Sequence, residues 1–298
     1  SELNVPIDPA MAIGAELPER HFAWTESDVL LYHLGVGAGS RPGDQTDPKA
    51  LRYTLDDEHL QVLPSFGIVA PTLHDTDPPT LDLPGCDIDL STVLHGSQEI
   101  VVHRPLPSSA RATVRTRISD VWDKGKAAVI VQEGEASDDA GNPLFTTRST
   151  IFVRGEGGWG GERGPSTRTV LPDREPDADT AYSTTPQQAL LYRLCGDRNP
   201  LHADPGFAAA AGFPAPILHG LCSYGVVLRT VVDELLDADV SRVRAFAARF
   251  AGVVFPGESI RVRAWDDDEQ ILVSATISSD TAERDGAPVL ADAALTQA

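Results

Sequence analysis

The sequence predicts an α+β fold built from two similar halves, each an antiparallel sheet wrapped around a helix. Three observations predict this fold: a series of β-rich segments in each half, a Gly- and Pro-rich stretch between the halves, and a long apolar helix before the second series. A chain of 298 residues is long enough for two domains, and its 41% hydrophobic content can supply each with a packed core.

The N-terminal half, residues 1–155, ends in three β-rich segments between Ala110 and Arg154. The turn-like sequences DKG and DDAGN separate them, which predicts an antiparallel meander. The helix signal in this half is TESDVLLYHLGV, which starts at a Thr25 cap, and no long apolar helix follows. The central helix of this half is therefore predicted to be reduced. The glycines of LGVGAGS follow a helical segment in GxGxG spacing, which disfavours a dinucleotide-binding fingerprint.

Residues 156–179 are predicted to be a linker, because they are rich in Gly, Pro and charge and have no sustained apolar period. The C-terminal half, residues 180–298, then repeats the layout with a second meander. The similar tetrapeptides VLHG at 93–96 and ILHG at 217–220 also suggest an internal duplication.

Three helices are predicted ahead of the second meander. Thr185, Pro186 and Gln188 form the start of a short helix that stops at Gly196, and Asp204 with Pro205 starts another. The third, HGLCSYGVVLRTVVDELLDADV, is apolar on nearly all faces, which is typical of a buried helix. A buried helix wrapped by an antiparallel sheet is the layout of the hot-dog fold. We therefore expect a double hot-dog with two antiparallel sheets, each around a central helix.

Composition limits the partners and the compartment. With 24 Lys and Arg against 44 Asp and Glu, the net charge is −20, which argues against nucleic acid or an anionic membrane as partner. Cys86, Cys195 and Cys222 are too few and too scattered for a disulfide framework. No secretory leader or membrane span is evident in the sequence, so we expect a cytoplasmic protein.

The loop CGDRNPLHADP carries the candidate chemistry. Asp197 and His202 are an acid/base pair by residue type, because an ionised carboxylate and an imidazole of ordinary pKa about 6.5 can exchange protons with one water. The alternative is that Asp197 and Asn199 only close a turn. For Asp204 the favoured interpretation is a helix cap.

The segment YRLCGDRNPLHADPGFAAA, followed by FPAPILHGLCSYG, resembles the signature of the MaoC-like, or R-specific, 2-enoyl-CoA hydratase family. The first half, through YHLGVGAG, VLPSFGIVAP and VLHGSQEIVVHRPLP, looks like the N-terminal part of the two-repeat, eukaryotic-type hydratase 2. One departure is Ser97, where relatives are expected to carry Glu, so the role of the HGSQ stretch is open. The resemblance covers nearly the whole chain.

This resemblance implies reversible addition of water to a trans-2-enoyl-CoA, giving a (3R)-3-hydroxyacyl-CoA. Asp197 and His202 would hold the water, without a fixed division of acid and base roles. Asn199 would orient the pair. The N–H of Gly220 would stabilise the thioester oxyanion, unless Gly220 serves only close packing. We expect His219 to be a satisfied core or capping histidine.

No cofactor is expected beyond the coenzyme A of the substrate. A metal site of His202, Asp204 and His219 is disfavoured because no paired ligand motif supports it. Arg244 and Arg249 are candidates for binding the phosphates of coenzyme A, although alternating arginines on a strand more often form a solvated face. The family also makes a homodimer an expectation.

Two other functions remain open from the sequence. A hot-dog acyl-CoA thioesterase would hydrolyse the same thioester, and a non-catalytic acyl-CoA-binding subunit would keep only the fold. The intact Asp197, Asn199 and His202 set argues against the second. With its reduced helix, the N-terminal half would accommodate a long or bulky acyl chain.

Overall fold

The computed structural model describes residues 6–166 and 168–298, with Leu90 described by its backbone alone. Ten strands form one antiparallel sheet in the order β1-β3-β4-β5-β2-β7-β10-β9-β8-β6. The strands are β1 (Arg20–Trp24), β2 (Val93–Val102), β3 (Ala110–Asp123), β4 (Ala127–Asp138), β5 (Pro143–Arg154), β6 (Ala178–Ser183), β7 (Val243–Phe250), β8 (Ser259–Asp267), β9 (Gln270–Ser278) and β10 (Pro288–Gln297). The helices are α1 (Pro9–Ala12), α2 (Glu26–Gly35), α3 (Pro48–Thr54), α4 (Phe66–Val69), α5 (Gln188–Tyr192), α6 (Pro205–Ala210) and α7 (Gly220–Leu235).

Both predicted meanders are present, and the strand order of the N-terminal half recurs in the C-terminal half. The prediction of a double hot-dog is confirmed. The expected separation into two sheets is corrected, because β2 pairs with β7 over Ser97–Val101 and Ala245–Arg249 and joins the halves into one sheet. This pairing satisfies the backbone hydrogen bonds of two strands that would otherwise be sheet edges.

The echo between VLHG and ILHG does not mark equivalent positions, so this part of the duplication argument was wrong. Residues 93–96 lie inside β2, whereas residues 217–220 lead into α7. The two tetrapeptides are similar in sequence but occupy different elements of the two halves.

Helix α7 is the buried helix that the sequence predicts. Its residues from Cys222 to Val232 are buried, and Tyr224 donates a hydrogen bond of 2.6 Å to the backbone oxygen of Phe246 on β7. In the N-terminal half the helix packed on the sheet is α4, only four residues long, and a Cβ added at Gly67 would lie 2.9 Å from Ile100. The prediction of a reduced N-terminal helix is confirmed.

The helix caps agree with the sequence signals in two of three cases. Thr25 and Asp28 form a capping box at α2, and Asp204 accepts hydrogen bonds from the backbone at the start of α6. At α5 the Thr185 side chain does not cap the helix, and instead Gln188 accepts a hydrogen bond from the Thr185 N–H. Gln188 also donates to the backbone oxygen of Gly35, which attaches α5 to α2 of the other half.

The predicted linker lies against the sheet. The Asp123 carboxylate, at the end of β3, accepts hydrogen bonds of 2.7 Å from the N–H groups of Gly158 and Gly160. Lys124 donates to the backbone oxygen of Pro165 at 2.9 Å. The segment is therefore held by the turn between β3 and β4, while the division into 1–155, 156–179 and 180–298 stays a prediction. Within the described part of the chain, no helix has the length and apolar character to cross a bilayer.

Candidate active site

The loop that carries Asp197 starts at a glycine that no other residue could replace. After α5 the chain makes a 3-10 turn and reaches Gly196 with φ +104°, a left-handed conformation that favours glycine. A Cβ there would also collide with the backbone oxygen of Thr72 from the N-terminal half. The loop is thus packed directly against the chain that follows α4.

His202 is held by a second 3-10 turn, Pro200–His202, which Asn199 caps by accepting a 3.0 Å hydrogen bond from the N–H of Leu201. The Nδ1 of His202 lies 2.8 Å from the backbone oxygen of Ile217. Because a carbonyl only accepts, Nδ1 carries the proton and Nε2 keeps a lone pair. Burial lowers the pKa of His202, and the Asp197 charge opposes that shift.

Asp197 lies close enough to His202 to share a water. Its Oδ1 accepts a 3.2 Å hydrogen bond from the backbone N–H of Asn199. One carboxylate oxygen of Asp197 and one ring nitrogen each of His202 and His219 all lie within 4.8 Å of one another. Two hydrogen bonds of ordinary length, about 2.8 Å each, can span that separation through one water.

His219 is a buried core histidine, as expected, but it is only partly satisfied and its side chain does not cap α7. It is 1% exposed and occupies the N-cap position of α7, but its side chain does not cap the helix. Its Nε2 donates to the backbone oxygen of Asp197 at 3.3 Å, and its Nδ1 has no hydrogen-bond partner among the described residues. Burial, and after it the neighbouring His202, lower the pKa of His219 to about 2.

The geometry of the two histidines is unfavourable for a shared metal ion. Their ring centroids are 3.7 Å apart and their planes are inclined by 26°, so the nitrogen lone pairs lie in nearly parallel planes, and one nitrogen of each ring is bonded to a backbone oxygen. A zinc ligand set needs lone pairs that point at one centre. Asp204, the third residue of the disfavoured metal alternative, is instead the cap of α6.

Gly220 is the first residue of α7, a helix of 16 residues. The N–H groups of a first helical turn have no partner within the helix, and the helix dipole favours an anion there. A Cβ at this position would lie 2.9 Å from Cδ1 of Phe250. The structure therefore agrees with both interpretations of Gly220, the anion site and close packing.

All four predicted site residues line one cavity of about 970 Å³. The N-terminal half contributes an apolar row of cross-strand neighbours to its wall, and the cavity also has four basic residues. The row is Leu94, Phe152, Val129 and Trp122. The basic residues are Lys124, Lys126, Arg168 and Arg249.

Most of this wall was not among the residues that the sequence predicts for the site. The WDKGK sequence, which contributes Trp122, Lys124 and Lys126, reads as a turn, although its aromatic and basic residues were an available signal. Arg249 does reach the cavity, where it pairs with Asp292 at 2.9 Å. Arg244 is exposed and lines a separate pocket beside His103, which agrees with the solvated strand face and not with a phosphate site in this cavity.

Ser97, the departure from the expected family pattern, also lines the cavity. It is on β2, and its Oγ lies 2.7 Å from Oγ1 of Thr150 on β5. The neighbouring His95 packs its ring against Phe250 at 4.5 Å. His95, Gly96 and Ser97 of the HGSQ stretch are thus part of the cavity wall.

A fold of two hot-dog halves with this acid/base loop defines a class of hydratases, and comparisons with known proteins agree. Residues 168–284 match the MaoC like domain, and residues 22–155 match the MFE-2 hydratase 2 N-terminal domain. The chain belongs to the MaoC-like hydratase 2 family, as its sequence predicts. The predicted enzyme class, a hydratase or dehydratase, is confirmed with it.

Individual relatives match over nearly their full length. The chain is 53% identical to enoyl-CoA hydratase ChsH3 of Mycobacterium tuberculosis over 99% of this chain and 100% of the relative. It is 36% identical to the peroxisomal enoyl-CoA hydratase 2 of Arabidopsis thaliana over 90% of both. Among solved structures, a MaoC-like dehydratase from Phytophthora capsici superposes with a TM-score of 0.83 at 31% identity, covering 96% of both chains.

Proposed function

We propose that Asp197 and His202 carry out the reaction of this family in this chain, the reversible hydration of a trans-2-enoyl-CoA to a (3R)-3-hydroxyacyl-CoA. The reaction belongs to fatty-acid or related acyl-CoA metabolism. The observation that carries the proposal is the separation of at most 4.8 Å between the Asp197 carboxylate and a ring nitrogen of His202, at the wall of a large cavity.

In the proposed mechanism, one water is held between the Asp197 carboxylate and Nε2 of His202. As the water oxygen bonds to C3 of the substrate, one of the pair removes a proton from the water, and C2 receives a proton from the pair. The electron pair of the double bond moves toward the thioester carbonyl, whose oxygen becomes negative. The N–H of Gly220 stabilises that oxygen, and no cofactor beyond the substrate's coenzyme A takes part.

Asn199 acts indirectly in this mechanism. Its side chain caps the turn that carries His202, and its backbone N–H holds Asp197. One residue thus fixes both members of the pair, which supports the positioning role that the family resemblance implies.

The test is the loss of enoyl-thioester absorbance with crotonyl-CoA and with a long trans-2-enoyl-CoA. We expect wild type to remove the conjugation, release no thiol and form the 3R alcohol. Asp197→Asn and His202→Gln should each lower kcat by about 10²- to 10⁴-fold, because each removes a proton-transfer group. Asp204→Asn, which keeps the α6 cap in the same loop, is the matched control and should retain activity.

Other outcomes would select other functions. Thiol release by the wild type would identify a thioesterase. Tight acyl-CoA binding without turnover would identify a non-catalytic binding subunit. Full activity in Asp197→Asn or His202→Gln would contradict the assignment of the pair.

Three broader proposals accompany this function. The N-terminal half accommodates a long or bulky acyl chain, which the replacement of a long helix by α4 supports, and the rate ratio of long to short substrates tests it. The protein acts in the cytoplasm, to be checked by fractionation of its native cells. Two copies form a homodimer, to be checked by light scattering. Neither a membrane nor nucleic acid is a partner.

A further inference from the structure

Two histidines cross-link the loop of Asp197 to the chain that enters α7, and they do so reciprocally. His202, on the loop, donates through Nδ1 to the backbone oxygen of Ile217, at 2.8 Å. His219, at the entry to α7, donates through Nε2 to the backbone oxygen of Asp197, at 3.3 Å. Between these two bonds the imidazole rings stack at 3.7 Å.

The arrangement places His219 against both members of the acid/base pair. Its ring covers one face of the His202 ring, and its N–H fixes the main chain from which the Asp197 carboxylate extends. Its own position is fixed by burial, by the Tyr192 ring at 4.7 Å and by its place at the N-cap of α7, directly before Gly220. His219 therefore contacts both members of the pair, one through its ring and the other through its N–H.

We propose that His219 is a positioning residue for hydration: its ring supports His202 by stacking, and its Nε2–H holds Asp197, so that the two groups stay at the separation one water requires. This inference rests on the proposed function of the same site. Effective proton transfer depends on such fixed geometry, since small misplacements reduce rates by large factors.

The protonation state of His219 suits this role. Burial lowers its pKa to about 2, so it is neutral at neutral pH. A neutral ring can remain stacked on His202 when His202 accepts a proton, whereas two charged rings at this distance would repel each other. The other ionisable groups whose charges act on His202 are Asp197 and Arg193.

Two substitutions separate the two contacts. His219→Phe keeps an aromatic ring over His202 but cannot donate to Asp197, and His219→Gln keeps an N–H donor but lacks the ring. We expect each to lower kcat at least 10-fold while KM changes less than about 3-fold. In His219→Gln, water reaches His202, so the acid limb of the kcat/KM profile moves to higher pH, while in His219→Phe it stays in place.

His33 provides a matched control for the loss of a buried histidine. Like His219, it is buried and bonded to a backbone oxygen, in its case through Nδ1 to that of Tyr53, but it does not line the cavity. His33→Phe and His33→Gln should lower the melting temperature and leave kcat and the pH profile of the folded enzyme unchanged. His219→Asn is a second variant without a ring, to be used if His219→Gln does not fold.

The inference is overturned if His219→Phe and a folded variant without the ring both keep the wild-type kcat and acid limb. It is also overturned if kcat falls equally in the His33 variants at equal loss of melting temperature. NMR titration of labelled His202 needs no turnover and separates this inference from the proposed function. An inactive wild type refutes the function alone, while an unchanged His202 pKa in the variants without the ring refutes the stacking role.

Discussion

Gly220 faces the ring of Phe250 so closely that a methyl group at position 220 would lie 2.9 Å from Cδ1 of that ring. A carbon atom cannot approach so near without displacement of the helix or the ring. The start of α7 therefore packs closely against the end of β7 at the point where the thioester oxygen is proposed to bind.

This contact predicts the behaviour of Gly220→Ala and of the double variant with Phe250→Leu. The single variant should lose both thermal stability and activity. The smaller Leu side chain removes the clash, so the double variant should recover the melting temperature. If the substrate must approach the N–H of Gly220, the kcat of the double variant should remain on the order of 10²-fold below that of wild type. Recovery of kcat together with stability would mean that Gly220 serves only packing.

Lys126 and Arg168 are predicted to bind the phosphates of coenzyme A, because they are exposed cations at the wall of the substrate cavity. Lys126→Glu and Arg168→Glu should each raise KM for crotonyl-CoA several-fold and leave KM for crotonyl-N-acetylcysteamine, which has no phosphates, unchanged. Arg244→Glu, in the separate pocket, is the control and should change neither KM. Equal effects on both substrates would contradict the prediction.

The Asp123 carboxylate is predicted to hold the linker at the cavity wall. Backbone N–H groups, that of Gly158 foremost, lower the pKa of Asp123. Asp123→Ala should therefore increase proteolytic cleavage within residues 155–166 and raise KM, because Pro165 and Ser166 line the cavity. Asp139→Ala, in the exposed turn between β4 and β5, is the control. If Asp123→Ala resists proteolysis as well as wild type does, Asp123 does not hold the linker at the cavity wall.

The stability of the protein should fall below pH 6.5, in part because of His33. Its Nδ1 donates to Tyr53 and its Nε2 accepts from the N–H of Leu63, so a second proton would oppose that N–H. Burial lowers the pKa of His33 to about 4. The unfolded chain, with a pKa near 6.5, binds this proton first, so stability present above pH 6.5 is lost as the pH falls toward 4.

Urea unfolding at pH 7.5, 6.0 and 5.0 measures this effect. Below pH 6.5 the free energy of unfolding should fall less steeply in His33→Gln than in wild type, by about 1.4 kcal/mol per pH unit for the one proton. His21→Gln, at an exposed position of the edge strand β1, is the control. An unchanged slope in His33→Gln would show that His33 does not remain neutral in the folded state.

The sequence predicts well those features that have a local physical cause. The β-rich segments around DKG and DDAGN, the apolar faces of α7 and the Asp204 cap all leave patterns within a few residues. The pairing of β2 with β7 leaves none, because it joins strands about 150 residues apart through backbone groups that every sequence has. The stacking of His219 on His202 depends on where two separate segments meet, and neither segment alone indicates it.

The pairing of β2 with β7 couples the unfolding of the two halves. Five residue pairs align β2 with β7 and join the two halves into one sheet, and Gln188 of α5 donates a hydrogen bond to Gly35 of α2 across the same boundary. Cut into separate polypeptides, each half would present a bare strand edge able to recruit another chain. We therefore expect the two repeats to melt in a single cooperative transition and neither to persist as a monomer alone. Through the pairing of β2 with β7, the N-terminal half, which lacks the acid/base loop, stabilises the folded state of the C-terminal half, which carries it.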